Sequence, residues 1–161
     1  MTEPLIAIDD PRRDDVRALL EQHLALANQN SPREDVHALD VDGLLNPALT
    51  FFSCRTDRSL LGIGALKELD AAHGELKSMH TAAAARGRGI GRAMLTHLVA
   101  VARERGYRRL SLETGTMDAF APARAMYANA GFEPSQPFAD YTPSPNSTFF
   151  TLPLADLVAG A

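Results

Sequence analysis

The 161-residue chain has no tryptophan and a single cysteine, Cys54. One thiol excludes an intrachain disulfide framework and a cysteine-rich zinc site. The five histidines are scattered and form no close pair at ligand spacing, so no metal site is expected. Long apolar runs are also missing. The longest wholly aliphatic stretch, Leu98 to Ala102, is far too short to span a bilayer, and no membrane partner is expected. The opening Met1-Thr2-Glu3-Pro4 lacks the basic and apolar regions of a secretory signal, which gives the expectation of a cytoplasmic protein. No repeat and no low-complexity linker divides the chain. Its length predicts one domain over residues 1–161, enough to bury a sizeable core.

The net charge of −4 argues against a nucleic-acid partner. That average hides a segregation. Residues 86–109 hold seven arginines and one acid, a local net of +6, whereas residues 1–42 hold ten acids and four arginines, a local net of −6. A basic segment inside an acidic protein suggests a localised anionic ligand. The plainer alternative is a solvated arginine-rich helix.

Periodicity predicts a mixed α/β order. Leu5 to Ile8 reads as a strand that stops at Asp9-Asp10-Pro11. Val16, Leu19, Leu20, His23, Leu24 and Ala27 recur at helical spacing within Asp14 to Asn28. Ser31-Pro32-Arg33-Glu34 is a capping-box pattern, with a short helix or irregular segment expected to about Leu45. Leu49 to Arg55, Leu60 to Leu69 and Glu75 to Thr81 read as an antiparallel meander with turns at residues 56–59 and 71–74. A helix begins near Gly89 and ends at Gly106, followed by a strand over Leu110 to Thr114 and a short helix over Ala121 to Asn129. Phe132 and Phe149 to Leu154 are expected in two closing strands. The proline- and serine-rich stretch between them is long for a compact domain.

The chemistry concentrates in Arg86-Gly87-Arg88-Gly89-Ile90-Gly91-Arg92, between a strand and a long helix. Glycines let backbone approach a ligand closely. The unpaired amides and positive dipole end of the following helix suit a phosphate or pyrophosphate. Arg86, Arg88 and Arg92 can add charge-assisted hydrogen bonds. No P-loop sequence is present, and the glycines do not follow the Gly-x-Gly-x-x-Gly dinucleotide fingerprint.

The pattern that fits is Arg/Gln-x-x-Gly-x-Gly/Ala, as Arg86-x-x-Gly89-x-Gly91. It resembles the acetyl-CoA pyrophosphate loop of the GCN5-related N-acetyltransferase (GNAT) family. A second motif of that family, a helical tyrosine followed by Gly-Phe, is matched by Tyr127 and Gly131-Phe132. The strong motifs lie within 75–132, and the resemblance covers nearly the whole chain.

The resemblance implies a mostly antiparallel mixed sheet flanked by helices, with a central pair of splayed parallel strands at Glu75 to Thr81 and Arg109 to Thr114. It implies acetyl-CoA as co-substrate, with the pantetheine arm on the backbone of Met79, His80 and Thr81. The pyrophosphate would sit on residues 86–92: Arg86, Gly87, Arg88, Gly89, Ile90, Gly91 and Arg92. Tyr127 would contact the cofactor and protonate the departing thiolate, the alternative being a core aromatic, and Glu75 would act as base, often through water, the alternative being a strand-edge carboxylate paired with Lys77 or an arginine. His80 is a rival base because its ordinary titration lies near neutrality. Strand alternation predicts Glu75, Lys77, Met79 and Thr81 on one face and Leu76, Ser78 and His80 on the other. Glu113 reads as a strand-end carboxylate or part of the base relay, and Cys54 as core. One departure is Phe120, seven residues before Tyr127, where many relatives carry a cofactor-holding asparagine.

The expected function is acetyl transfer to a primary amine of a small-molecule or peptide acceptor. The alternative is a non-catalytic acetyl-CoA-binding module. The acidic N-terminal region would suit a cationic amine by attraction. Pro134 to Asn146 is a candidate wall of the acceptor pocket or a contact in a homodimer.

Overall fold

The computed structural model describes residues 3–30 and 39–154. The expected capping box at 31–34 lies outside the described residues. The elements run β1 (Leu5–Ile8), α1 (Asp14–Asn30), α2 (Val41–Leu44), β2 (Leu49–Thr56), β3 (Ser59–Asp70), β4 (His73–Thr81), α3 (Ile90–Glu104), β5 (Arg109–Gly115), α4 (Ala121–Asn129), β6 (Glu133–Pro134) and β7 (Ser147–Pro153). The strands form one seven-stranded sheet in the order β1-β2-β3-β4-β5-β7-β6. Every neighbouring pair is antiparallel except β4 with β5.

Two apolar clusters clothe the two faces. Phe52, Leu66, Leu76, Leu110, Leu112 and Phe150 of the sheet pack with Met94, Leu95, Leu98 and Ala102 of α3 and Tyr127 of α4. Phe51, Ile63 and Ala65 face the other way, against Val16, Leu19 and Leu20 of α1 and Leu44 of α2. Adjacent residues of β2 thus serve opposite faces, as strand geometry requires. Cys54 is fully buried in the α3 cluster, as expected. Gly64 lets α3 approach the sheet closely. A Cβ there would stand 2.8 Å from Met79 Sδ, 2.9 Å from Met94 Cγ and 3.0 Å from Leu98 Cδ1.

Two details differ from expectation. The second turn is tighter than 71–74: Asp70 already pairs with His73, and Asp70 Oδ1 takes the Ala72 amide at 2.7 Å. Phe132 lies just before β6 and serves the core, with its ring 5.8 Å from that of Tyr127. The stretch between β6 and β7 is a loop, as expected. Phe138 and Tyr141 from this stretch pack on each other and on Phe149, covering part of the α1 side of the sheet.

Candidate active site

The parallel pairing of β4 with β5 covers only His73, Gly74 and Glu75 against Arg109, Leu110 and Ser111. Beyond Glu75 the strands diverge. A cavity of about 850 Å³ opens in the wedge and continues to the start of α3. This volume is within the usual range of small-molecule sites. Glu75, Met79, His80, Thr81, Arg86, Gly87, Gly89, Ile90, Gly91, Arg92 and Tyr127 all line it. Arg88 is exposed and falls outside that lining.

At the α3 end, Gly87 and Gly89 both have φ of +78°, where a side chain is strained. Nothing stands within 4 Å of a Cβ built at either position, so their backbone faces open space. Gly89 is the N-cap of α3, and no side chain caps the helix there. First-turn amides, the helix dipole, Arg86 and Arg92 therefore converge on one concave surface suited to a diphosphate.

The floor of the wedge is Glu75, 2% exposed. Its Oε2 accepts from the Tyr141 hydroxyl at 2.5 Å and from Lys77 Nζ at 3.2 Å. Lys77 Nζ also donates to the Tyr141 oxygen at 2.8 Å, closing a three-membered cluster. Burial, then the neighbouring Glu75 carboxylate, pushes the Tyr141 phenol well above its ordinary range. Across the cleft, Glu113 also lines the cavity and accepts from Ser147 Oγ at 2.7 Å.

The faces of β4 depart from simple alternation. Lys77 pairs with Ala65, but His80 pairs with Ile63, so three steps on β4 match two on β3. Ser78 supplies the extra residue, at φ +56°. This bulge moves His80 to the side of Glu75 and Lys77, opposite Ile63 and Ala65 on the α1 face. Met79 and Thr81 turn toward α3, where they meet the Cβ positions of Gly64 and Gly91. His80 consequently meets His23 of α1, Nδ1 to Nδ1 at 3.1 Å. Burial, then repulsion from His80, pushes His23 down to about 4, and burial followed by Arg86 lowers His80. His80 Nε2 is buried with no partner among the described residues.

On the other wall, Tyr127 is 6% exposed and burial raises its phenol far above the ordinary range. It therefore stays protonated at working pH. Phe120 presses its ring on Gly115, where a Cβ would be only 2.3 Å from Cδ2. Arg124 ties α4 to the end of β5 through the Gly115 and Met117 carbonyls, at 2.7 and 2.9 Å. The described N-terminal acids lie outside the cavity lining. Asp9, Asp10 and Asp15 pair with Arg12, Arg13 and Arg55, and no described acid of residues 1–42 lines the cavity. Among the described residues its carboxylates are Glu75 and Glu113.

Tyr141, Lys77, His23 and Asn146 also line the cavity without having been singled out as site residues. His23 had a signal, a polar residue among the apolar positions of its helix. Tyr141 and Asn146 belong to the stretch expected as a candidate wall of the acceptor pocket, where Tyr141 and Phe138 are the two aromatics. Among the described residues no cluster of three or more potential metal ligands occurs, and no helix is long and apolar enough to cross a membrane.

Comparison with known proteins agrees with this architecture. The chain is 47% identical over 146 residues to an uncharacterized N-acetyltransferase of Bacillus subtilis, YsnE, covering 91% of this chain and 97% of the relative. It is 46% identical to an uncharacterized N-acetyltransferase of Escherichia coli, YedL, covering 94% and 95%. An IAA acetyltransferase of Azospirillum brasilense is 34% identical, covering 96% and 100%. The fold matches a GNAT family acetyltransferase of Elizabethkingia anophelis with acetyl-CoA bound, at TM-score 0.69 and 17% identity, covering 96% and 100%. The family model described as Acetyltransferase (GNAT) family matches residues 15–132, and the chain is a member of that family of acetyltransferase enzymes.

Proposed function

We propose that the protein transfers an acetyl group from acetyl-CoA directly to the primary amine of a small-molecule acceptor, within one domain spanning residues 1–161. The observation that carries this reading is the single cavity running from the Gly87–Gly89 anion cradle to the Glu75 floor of the wedge. Its two ends suit the two reactants. The glycine loop, Arg86 and Arg92 hold the diphosphate. The backbone of Met79, His80 and Thr81 borders the wedge and aligns the pantetheine arm.

The acceptor approaches the opposite end, bounded by His23, Leu26 and Ala27 of α1 and by Tyr141 and Asn146. Lys77 offsets the Glu75 carboxylate at that end, and Glu113 leaves the formal balance negative, which favours a cationic amine before it loses a proton. In the reaction the amine nitrogen bonds to the thioester carbonyl carbon and the carbon–sulfur bond breaks. Glu75 is the final proton acceptor for the amine. Tyr127, kept protonated by burial, supplies a proton to the thiolate.

Calorimetry with acetyl-CoA and a thiol-release assay over a panel of primary amines test this reading. Binding and amine-dependent CoA release are expected. Arg86→Ala combined with Gly89→Trp should abolish binding, because it removes a cation and fills the cradle. Retained affinity in that double variant overturns the assigned loop. Tight binding without CoA release for any amine overturns the transfer reaction.

A further inference from the structure

We propose that Tyr141 is the proton relay of this site, taking the proton of the acceptor amine while passing its own to Glu75. The proposal rests on the N-acetyltransferase reading and adds a catalytic residue to it.

Glu75 sits where β4 and β5 part, but at 2% exposure it offers little surface to an incoming amine. Tyr141 is less buried, lines the same cavity and already donates to Glu75 Oε2 at 2.5 Å. The proton path from tyrosine to carboxylate is therefore built. Lys77 Nζ, 2.8 Å from the phenol oxygen, stabilises negative charge there while the proton moves. The ring is held in place by Phe138 and Phe149, at centroid distances of 5.0 and 5.7 Å. Fixed geometry of this kind favours proton transfer.

The step balances. The amine N–H bond breaks and its proton bonds to the Tyr141 oxygen. The former Tyr141 proton bonds to Glu75 Oε2. The freed nitrogen lone pair forms the carbon–nitrogen bond, the carbon–sulfur bond breaks, and the thiolate takes a proton from Tyr127. The nitrogen, cationic once bonded to carbon, loses its second proton to solvent as the amide forms, Glu75 afterwards returns its own proton to solvent, and Tyr127 recovers one from solvent.

The test uses full-length protein and the thiol-release assay with primary alkylamines and with methoxyamine, which is already neutral at neutral pH. Tyr141→Phe keeps the ring packing and removes the relay. With alkylamines kcat should fall by about 100-fold, the lower range of general base catalysis, with acetyl-CoA affinity unchanged. With methoxyamine the loss should be clearly smaller. A merely structural role would lower both alike. Difluorotyrosine at position 141, a more acidic phenol, should shift the pH profile of kcat/KM toward lower pH. Equal losses for both amine types, an unmoved profile or an unchanged kcat overturns the relay alone. A wild-type protein that releases no CoA with any amine overturns the transfer reading and the relay together.

Discussion

Gly64→Ala sets two opposing effects against each other. Alanine restricts the unfolded chain and, where its backbone is allowed, stabilises by about 0.4–1 kcal/mol. Gly64 has no positive φ, so the backbone raises no objection. The new methyl carbon, however, would lie 2.8, 2.9 and 3.0 Å from Met79 Sδ, Met94 Cγ and Leu98 Cδ1. Ordinary carbon contacts lie at about 3.5–4.0 Å, so three neighbours from β4 and α3 must withdraw together by roughly 0.5–1 Å. Overpacking of this kind costs about 1–3 kcal/mol. The methionines adapt more easily than branched side chains, which favours the middle of that range. The net expectation is a loss of about 1–2 kcal/mol, or a Tm lower by about 3–6 °C for a chain of this size. Urea unfolding and a thermal melt measure it. Acetyl-CoA affinity should weaken as well, because Met79 lines the cavity and α3 carries the glycine loop. Met94→Ala should cost less in the Gly64→Ala background than in the parent, because its side chain is one of those the new methyl crowds. A Gly64→Ala protein as stable as the parent would refute the close-packing argument.

Three further outcomes follow from the site. His23 titrates at about 4 in the folded protein against an ordinary 6.5, so the native state resists a proton that the unfolded chain accepts. Its contribution is full above pH 6.5 and is lost as pH falls toward 4, by up to about 3 kcal/mol. His23→Gln should flatten the stability–pH curve in that window, and an unaltered slope in urea titrations would contradict the assignment. Tyr127→Phe should lower turnover about 100-fold while leaving acetyl-CoA affinity within twofold, and full activity where chemistry limits the rate would remove it as the acid. Ser78→Gly should stabilise by about 1 kcal/mol, because it relieves the left-handed backbone and removes a buried hydroxyl without a partner among the described residues. A lower urea midpoint for this variant would mean that the serine makes a contribution beyond that strain.

The elements with periodic apolar residues were legible in the sequence. The helix over Ala121 to Asn129 and the strand over Leu5 to Ile8 have the same bounds in the structure. The glycine loop was legible because its chemistry is local: the residues that form the cradle are neighbours in the chain. In the Glu75–Lys77–Tyr141 cluster the Glu75–Lys77 pair was open to a sequence reading, but its completion by Tyr141 was not. It depends on a contact across 66 positions, from a segment with no periodicity to place it. The His23–His80 contact was hidden for a different reason. Nothing in Lys77-Ser78-Met79 signals a left-handed serine, and counting by twos puts His80 on the wrong face. The described acids of the N-terminal segment lie away from the cavity, and charge counts do not record their pairing. Arg55, far along the chain, engages both Asp9 and Asp15.

The bulge at Ser78 makes the parity of β4 a matter of residue count. The stretch up to Lys77 and the stretch from Met79 each alternate normally, offset by one residue. Changes of length and changes of conformation at this point therefore have opposite outcomes. Deleting Ser78 would let the strand run straight while Met79, His80 and Thr81 keep both their faces and their register with β3, because the bulged residue has no step of its own on that strand. Straightening the strand with every residue retained would invert all three. His80 would leave His23 and turn toward α3, and Met79 would turn toward α1. A gap in an aligned relative at this position is thus compatible with the same active-site wall. A relative of equal length with a regular strand has a different one.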